Sequence, residues 1–201
     1  MFSEANTKKG VTFPQGFKAA GVKAGIKKSG NLDLALIYTE KEAAVAGTFT
    51  QNQVAAASVF VSREVVKGGK AHAICANAGC ANACTGDQGM VNARAMAKAA
   101  ADAVGCAANE VIVASTGVIG VQLPMEKVTA GVKAAAAELS EDGSVNAGNA
   151  IITTDTYSKA CATEVEIGGR KVRCRAACPH GCSRRCAGWR RCISQASRGR
   201  C

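Results

Sequence analysis

Short apolar runs alternate with glycine- and asparagine-rich breaks along most of this chain. Runs of four to eight apolar residues bounded by turn residues are typical of strands, and their close spacing favours an antiparallel or mixed sheet. The pattern predicts strands over residues 32–38, 43–50, 54–61, 71–76, 111–113, 150–152 and 164–167. Residues 17–27 have a mixed pattern that ends in a turn, so no element is assigned to them.

Two longer segments carry apolar residues spaced by three and four positions, which is typical of helices packed on one face. The first covers residues 90–104, with Gly105 as its C-terminal cap. The second covers residues 124–139 and begins at Pro124, because proline is favoured in the first turn of a helix. Before the first helix, residues 77–89 are predicted to form a loop, since glycine and small polar residues dominate there.

The last predicted strand leads into a hairpin. Gly168-Gly169 is a favoured two-residue hairpin turn, and residues 170–173 begin the return strand. After Arg173 the composition changes, because residues 174–201 hold seven arginines and six of the eleven cysteines but no lysine and no acidic residue. The return strand is therefore expected to be interrupted, and the chain divides into a body, residues 1–173, and a tail, residues 174–201.

The composition indicates a globular protein with one main domain. The chain has 201 residues, of which 48% are hydrophobic and 20% charged, and this length allows a sizeable core. No apolar run reaches the length of a membrane span, and residues 1–9 lack the apolar segment of a signal peptide. These features predict a cytoplasmic protein. The tail carries most of the net charge of +10, so nucleic-acid binding by the body is not favoured.

The cysteines and the histidine of the body are predicted to be structural. Five cysteines are scattered among alanines, which is typical of reduced, packed thiols: Cys75, Cys80, Cys84, Cys106 and Cys161. Cys84 has no histidine near it in the sequence, so we expect a packed thiol there rather than a nucleophile. His72 lies in a predicted strand without an accompanying motif, and a structural role is expected.

The strongest candidate chemistry lies in residues 109–120. The β-branched run 111–113 is followed by Ala-Ser-Thr-Gly, so a small polar loop with a glycine follows a predicted buried strand. Such a loop presents backbone N–H groups and a hydroxyl, which are the donors that stabilise an oxyanion. An ordinary strand-to-helix turn has the same composition, and the stretch alone does not separate the two interpretations.

Several motifs occur in a fixed order between residues 10 and 173. They include Gly10-Val11-Thr12, Asp33-Leu34-Ala35-Leu36-Ile37, Ala46-Gly47-Thr48-Phe49-Thr50, Ala81-Asn82-Ala83-Cys84-Thr85-Gly86, Ser115-Thr116-Gly117-Val118-Ile119-Gly120 and Thr153-Thr154-Asp155-Thr156. Together and in this order they resemble the ornithine acetyltransferase (glutamate N-acetyltransferase, ArgJ) family. The resemblance implies an α/β fold, a mixed-sheet sandwich of the N-terminal-nucleophile kind, which is incomplete here because the family's second chain is missing.

The resemblance also implies an activity in arginine biosynthesis. Family members are made as a longer precursor that cleaves itself before a threonine, and this threonine becomes the nucleophile of a second chain. It moves an acetyl group from N2-acetyl-L-ornithine to L-glutamate, and some members also use acetyl-CoA. The resemblance implies that Thr116 and Gly117 form the oxyanion hole, that Thr153 binds substrate, and that an α2β2 assembly forms. Neither a resident cofactor nor a metal is expected.

The tail departs from the family pattern. A substrate-binding lysine and the nucleophile would fall near Pro179 and Arg190, and neither residue is present there. We therefore predict that residues 174–201 are an out-of-frame reading or a disordered tail, and that the chain by itself is an inactive, truncated or frameshifted form. Reading the DNA beyond the codon for Arg173 in all three frames tests this prediction.

Two alternatives to an inactive fragment stay open. The chain is a non-catalytic subunit that pairs with a separately encoded second chain, or its tail binds zinc or nucleic acid. The zinc ligands would be Cys174, Cys178, His180, Cys182 and Cys186. A cysteine at every fourth position is not one of the usual zinc spacings, which weighs against the second alternative.

Overall fold

A four-stranded mixed sheet lies at the centre of the computed structural model, which describes residues 10–155 and 160–177. Its strands are β1 (Phe17–Val22), β2 (Leu34–Ala44), β3 (Lys70–Cys80) and β4 (Val111–Val118), in that spatial order. β1 pairs with β2 and β2 with β3 in antiparallel orientation, whereas β3 and β4 are parallel. The predicted mixed sheet is confirmed.

Helices cover both faces of this sheet. They are α1 (Ala57–Lys67), α2 (Gly86–Val104), α3 (Met125–Ala137) and the short α4 (Ser144–Ala150). The first three share the main core with inward-facing strand residues such as Leu34 and Leu36, both fully buried. Ala35 packs on the other side with Ala147 of α4 and with Val11. The two cores follow from the alternation of side chains along a strand.

Both predicted helices are confirmed, with shifted ends. α2 begins earlier than expected, at Gly86, and ends before Gly105, whose φ of 77° is the left-handed conformation of the predicted cap. α3 follows Pro124 and ends at Ala137. Their apolar faces are made largely of alanine and valine, which lets α2 and α3 pack closely against each other.

Three predicted strands are wrong, over residues 43–50, 54–61 and 150–152, except that Ala43 and Ala44 form the end of β2. The second of these runs into α1, where Ala57, Val61 and Val65 are buried at helical spacing. Burial of one helical face therefore outweighed the strand preference of Val59, Phe60 and Val61, which is a weak and context-dependent preference.

Two segments predicted as loops belong in part to strands. The first residues of 77–89 extend β3, and the Ser115-Thr116-Gly117 loop is the end of β4. The two extensions pair with each other, since Asn77 lies opposite Ser115 and Gly79 opposite Gly117. Residues 17–27, left without an element, contain β1, which pairs with β2 along its whole length.

Helix α1 supplies hydrogen-bond partners for backbone groups on the outer edge of β4. The Ser62 hydroxyl donates to the Val113 carbonyl at 2.7 Å and accepts the Val113 N–H at 3.0 Å. Ser62 and Val113 are both buried, so these backbone groups have no water to replace the hydroxyl. The strand that carries Thr116 and Gly117 is thereby tied to the helical layer.

A second sheet contains two strands, β5 (Ala160–Ile167) and β6 (Arg170–Ala177), which form an antiparallel hairpin. Gly168 and Gly169 have φ values of 57° and 74°, the positive values of a type I′ turn, so the predicted turn is confirmed. β6 continues past Arg173 to Ala177, and the expected interruption of the return strand is wrong. Residues 178–201 lie outside the described residues. The out-of-frame origin of the tail therefore stays a prediction, and its binding of zinc or nucleic acid stays an open alternative.

The cysteines with described side chains are free: Cys75, Cys80, Cys84 and Cys106. Cys75 and Cys80 are buried, as predicted for packed thiols. Cys84 is exposed, and the expectation of a packed thiol is wrong at this position. The difference arises because Cys84 lies in the turn between β3 and α2 rather than within either element.

Burial raises the pKa of the Cys75 thiol to about 12. Since the thiolate is the reactive form, only about one Cys75 in ten thousand is reactive at pH 8. We expect iodoacetamide to modify Cys84 well before Cys75 in the native chain, and both at similar rates in 8 M urea. Peptide mass spectrometry over a time course measures the two rates. Equal modification in the native state would contradict the burial of Cys75.

Candidate active site

An open cleft of about 900 Å³ lies at the carboxyl ends of the parallel strands β3 and β4. The loop between β1 and β2 and the segment after α4 form its other walls. Strand ends of this kind often form ligand sites, because the loops that follow them diverge and leave a crevice. The cleft is therefore the natural candidate for an active site.

The predicted site residues Thr116, Gly117 and Thr153 all line this cleft. Thr116 and Gly117 come from the end of β4, and Thr153 comes from the segment after α4. Long stretches of sequence separate the two parts, so their meeting in one cleft is a property of the fold. Their roles as oxyanion-hole and substrate-binding residues stay predictions.

Gly117 lies where the backbones of β4 and β3 are in close contact. Its φ is +132°, and a Cβ atom there would lie 2.3 Å from the Gly79 carbonyl carbon and 2.6 Å from the Cys80 nitrogen. The strand register also shifts here, since Cys80 lies opposite both Thr116 and Val118. Only glycine fits this position, and the surrounding backbone holds it in place. A backbone donor fixed in this way is preorganised, as an oxyanion hole requires.

Asp33 organises the loop between β1 and β2. Its carboxylate is fully buried and accepts three backbone N–H groups, from Ala24 at 2.6 Å, Ile26 at 2.5 Å and Lys27 at 2.9 Å. Ile26 and Lys27 line the cleft, so Asp33 shapes the cleft without contacting it. Sequence reasoning missed this role. The available signal was an acidic residue directly before an apolar run, a position that a lone carboxylate rarely occupies unless it is paired.

Lys27 connects two walls of the cleft. Its ammonium donates to the Leu32 carbonyl at 2.7 Å and to the Ala150 carbonyl at 3.1 Å. Burial lowers the pKa of Lys27, while the nearby Asp33 carboxylate opposes that shift. Ala150 precedes the segment that carries Thr153, so Lys27 helps to place Thr153 relative to the loop.

The charge of the cleft is positive. Among the described residues that line it, Lys27 and Lys28 are the charged side chains, and neither Asp nor Glu is present. The Lys27 ammonium is occupied by two carbonyl groups, whereas Lys28 is exposed. A cleft of this charge favours an anionic ligand such as a carboxylate.

Other candidates from the sequence stand apart from the cleft. His72 Nδ1 lies 3.0 Å from the Thr39 carbonyl within the sheet, in agreement with the expected structural role. Across residues 10–155 and 160–177, no three metal-ligating side chains are grouped so that they could hold an ion. The same part of the chain contains no helix that is both long and apolar enough to cross a membrane.

Comparison with known proteins identifies relatives. A family model described as the ArgJ family matches residues 18–179. The arginine biosynthesis bifunctional protein ArgJ of Parasynechococcus marenigrum (strain WH8102) is 48% identical over 166 residues, which cover 82% of this chain and 41% of that protein. The protein of the same name from Symbiobacterium thermophilum is 50% identical over 165 residues, which cover 81% of this chain and 41% of that protein.

Solved structures agree with these relatives. The structure of ornithine acetyltransferase complexed with ornithine from Mycobacterium tuberculosis matches with a TM-score of 0.81 and 42% identity, over 90% of this chain and 96% of that chain. The arginine biosynthesis bifunctional protein ArgJ from Bacillus halodurans matches with a TM-score of 0.80 and 34% identity, over 87% of this chain and 91% of that chain. The chain nevertheless spans only about two fifths of the length of its curated relatives.

Proposed function

Because the chain belongs to the ArgJ family, we propose that it is the N-terminal part of a cytoplasmic acetyltransferase of arginine biosynthesis. The enzyme moves an acetyl group from N2-acetyl-L-ornithine to L-glutamate, with acetyl-CoA as an alternative donor. The nucleophilic threonine belongs to a second chain, so the polypeptide of 201 residues is inactive by itself. No resident cofactor is needed, since the threonine carries the acetyl group between the substrates.

The proposed mechanism follows from the chemistry of an amide. The threonine hydroxyl attacks the acetyl carbonyl carbon, and its proton passes to the α-amine of the same residue. The carbonyl oxygen becomes an oxyanion, which accepts hydrogen bonds from the Thr116 hydroxyl and the Gly117 N–H. The C–N bond then breaks, and the proton leaves with the ornithine amine. Glutamate's amine attacks the resulting acetyl ester, and the bond between the acetyl carbon and the threonine oxygen breaks. The proton lost by the glutamate amine passes through the α-amine to the threonine oxygen, which regenerates the hydroxyl.

One observation supports this proposal above the others: Thr116, Gly117 and Thr153 line a single cleft. Gly117 offers a rigid backbone donor, and Thr153 contributes a residue with a hydroxyl from another wall of the same cleft. The positive charge of the cleft suits the carboxylates that N2-acetylornithine and glutamate both carry.

An apolar surface beside the cleft supports the proposed second chain. Val118, Ile119 and Val121 are 59%, 64% and 52% exposed and follow Gly117 within four residues. Val118 and Val121 also line the edge of the cleft. Adjoining apolar side chains with this exposure are typical of an interface that another protein surface covers. We propose that the second chain packs here and completes the active site, in an α2β2 assembly.

Co-expression with the missing part tests the proposed function. The partner is the portion of the Symbiobacterium thermophilum relative beyond its matched N-terminal part. We expect no acetyl transfer by the chain alone, and transfer from N2-acetylornithine to glutamate by the purified complex.

Thr116→Val should lower kcat of the complex by about 10²- to 10³-fold because one oxyanion donor is removed, while Thr116→Ser keeps the hydroxyl and most of the activity.

Three outcomes of this experiment would contradict parts of the proposal. Absence of a complex on gel filtration would exclude the second chain as partner. A stable complex without transfer would instead favour the non-catalytic subunit. An equal loss of activity in Thr116→Val and Thr116→Ser would show that the Thr116 hydroxyl does not stabilise the oxyanion.

A further inference from the structure

Asn77 occupies a buried position between the core and the candidate oxyanion hole. It lies near the end of β3, is 1% exposed, and pairs in register with Ser115 of β4. Its Nδ2 donates to the Cys80 carbonyl at 2.8 Å. This bond spans Gly79, whose φ of +110° bends the strand. The side chain therefore holds the bend of β3 closed from within.

The bend held by Asn77 contacts β4 at Gly117 and at Val118. The Cys80 carbonyl and the Ala81 N–H belong to one planar peptide group, so a bond to the carbonyl also orients the N–H. The Ala81 N–H donates to the Val118 carbonyl at 2.8 Å. The preceding peptide, between Gly79 and Cys80, lies directly against the Gly117 Cα. The peptide that Asn77 holds is thus adjacent in the chain to the peptide that contacts Gly117.

The second polar atom of Asn77 is left without compensation. Asn77 Oδ1 is buried and has no hydrogen-bond partner among the described residues. A buried acceptor without a partner lowers stability, and most such groups in proteins are satisfied. An apolar residue at this site would avoid that cost but would lose the bond to Cys80. The role of the Asn77 amide is therefore to hold the Cys80 carbonyl in place, and not to increase the stability of the fold.

We propose that Asn77 is a positioning residue for the oxyanion hole, acting through the Cys80–Ala81 peptide on Thr116 and Gly117. This inference rests on the proposed function of the cleft. Asn77 does not line the cleft, so its effect is on transition-state stabilisation and not on substrate contact. Loss of the Nδ2 donor should lower kcat and leave KM nearly unchanged.

Amide hydrogen exchange tests the positioning without any activity. In Asn77→Asp, studied at a pH at which the new carboxyl is ionised, a carboxylate oxygen replaces Nδ2 and repels the Cys80 carbonyl, so the peptide should rotate. We expect the Ala81 amide to exchange at least about tenfold faster in the full chain, as its bond to Val118 opens more often. Unchanged Ala81 exchange in a folded Asn77→Asp chain would overturn the proposal.

Asn82→Asp is the matched control. Asn82 is also fully buried and donates through Nδ2 to a carbonyl, that of Gly89 at the start of α2. This variant should speed exchange at the start of α2 and leave the Ala81 amide protected. If Asn77→Asp fails to fold, Asn77→Ala removes the donor without repulsion, and the same increase at Ala81 is expected.

Kinetics of the co-expressed complex separate positioning from stability. Asn77→Asp should lower kcat at least about tenfold with KM within twofold of the wild type, whereas Asn82→Asp should change neither parameter by more than about twofold. Equal losses in both variants would show that Asn77 is merely structural. If the unaltered complex transfers no acetyl group, the proposed function fails, and Ala81 exchange still decides whether Asn77 positions Gly117.

Discussion

Replacing Gly117 by alanine is expected to destabilise the folded chain more than any of the other substitutions proposed. The added Cβ would lie 2.3 Å from the Gly79 carbonyl carbon and 2.7 Å from the Gly79 Cα, both backbone atoms that do not move aside. The φ of +132° adds strain for any residue with a Cβ. Overpacking and backbone strain together predict a loss of about 3–5 kcal/mol in the free energy of unfolding.

Gly120→Ala is the control for Gly117→Ala. Gly120 has a positive φ of +79°, but no atom lies within 4 Å of an added Cβ. This variant carries backbone strain alone, and about 1–2 kcal/mol of destabilisation is expected. Urea denaturation followed by far-ultraviolet circular dichroism measures both changes. If the two variants lose equal stability, the close contact of β4 with Gly79 is not the cause.

Replacement of Asp33 is expected to have the second-largest effect. Asp33→Ala leaves the N–H groups of Ala24, Ile26 and Lys27 without their buried acceptor, and it removes a negative charge near the Lys27 ammonium. Three N–H groups that lose their shared acceptor and a partly buried ammonium that loses a nearby carboxylate predict a loss of about 3–5 kcal/mol in the free energy of unfolding. The loop between β1 and β2 should lose its order first.

Asp102→Asn serves as the control for Asp33→Ala. Asp102 pairs with Lys98 at 2.9 Å on the surface of α2, where both side chains are more than 60% exposed. Loss of such a pair changes stability by less than about 0.5 kcal/mol. The urea midpoints of the two variants measure their losses of stability. Hydrogen exchange of residues 23–32 shows whether the loop between β1 and β2 loses its order in Asp33→Ala. A small effect of Asp33→Ala would mean that water replaces its carboxylate.

The cleft was only partly predictable from the sequence, because contacts between distant segments fix much of its geometry. The Ser115-Thr116-Gly117 motif was found from its residues, since small residues after an apolar run are visible locally. Its rigidity was not visible, because Gly79 and Cys80 create it from another strand. Asp33, Lys27 and Asn77 likewise act through bonds to backbone groups, and backbone groups carry no signal in the sequence.

Helical periodicity and turn chemistry were sufficient for several elements. α2 and α3 follow from apolar residues at helical spacing, Gly105 ends α2, and Gly168-Gly169 forms the hairpin turn. These features depend on residues that are neighbours along the chain, so local sequence determines them. The ordered motifs likewise indicated the ArgJ family, which the family match over residues 18–179 confirms.

Tertiary structure alone decided the rest. Residues 54–61 contain strand-forming side chains, yet a helix forms from Ala57 because Val61 and Val65 bury one face against the core. β3 and β4 extend into polar, glycine-rich segments because each supplies the other's backbone partners. Burial and strand pairing join residues far apart in the sequence, and local patterns carry no information about which distant segment will be the partner. The cleft that unites Thr116, Gly117 and Thr153 exists for this reason only in the folded chain.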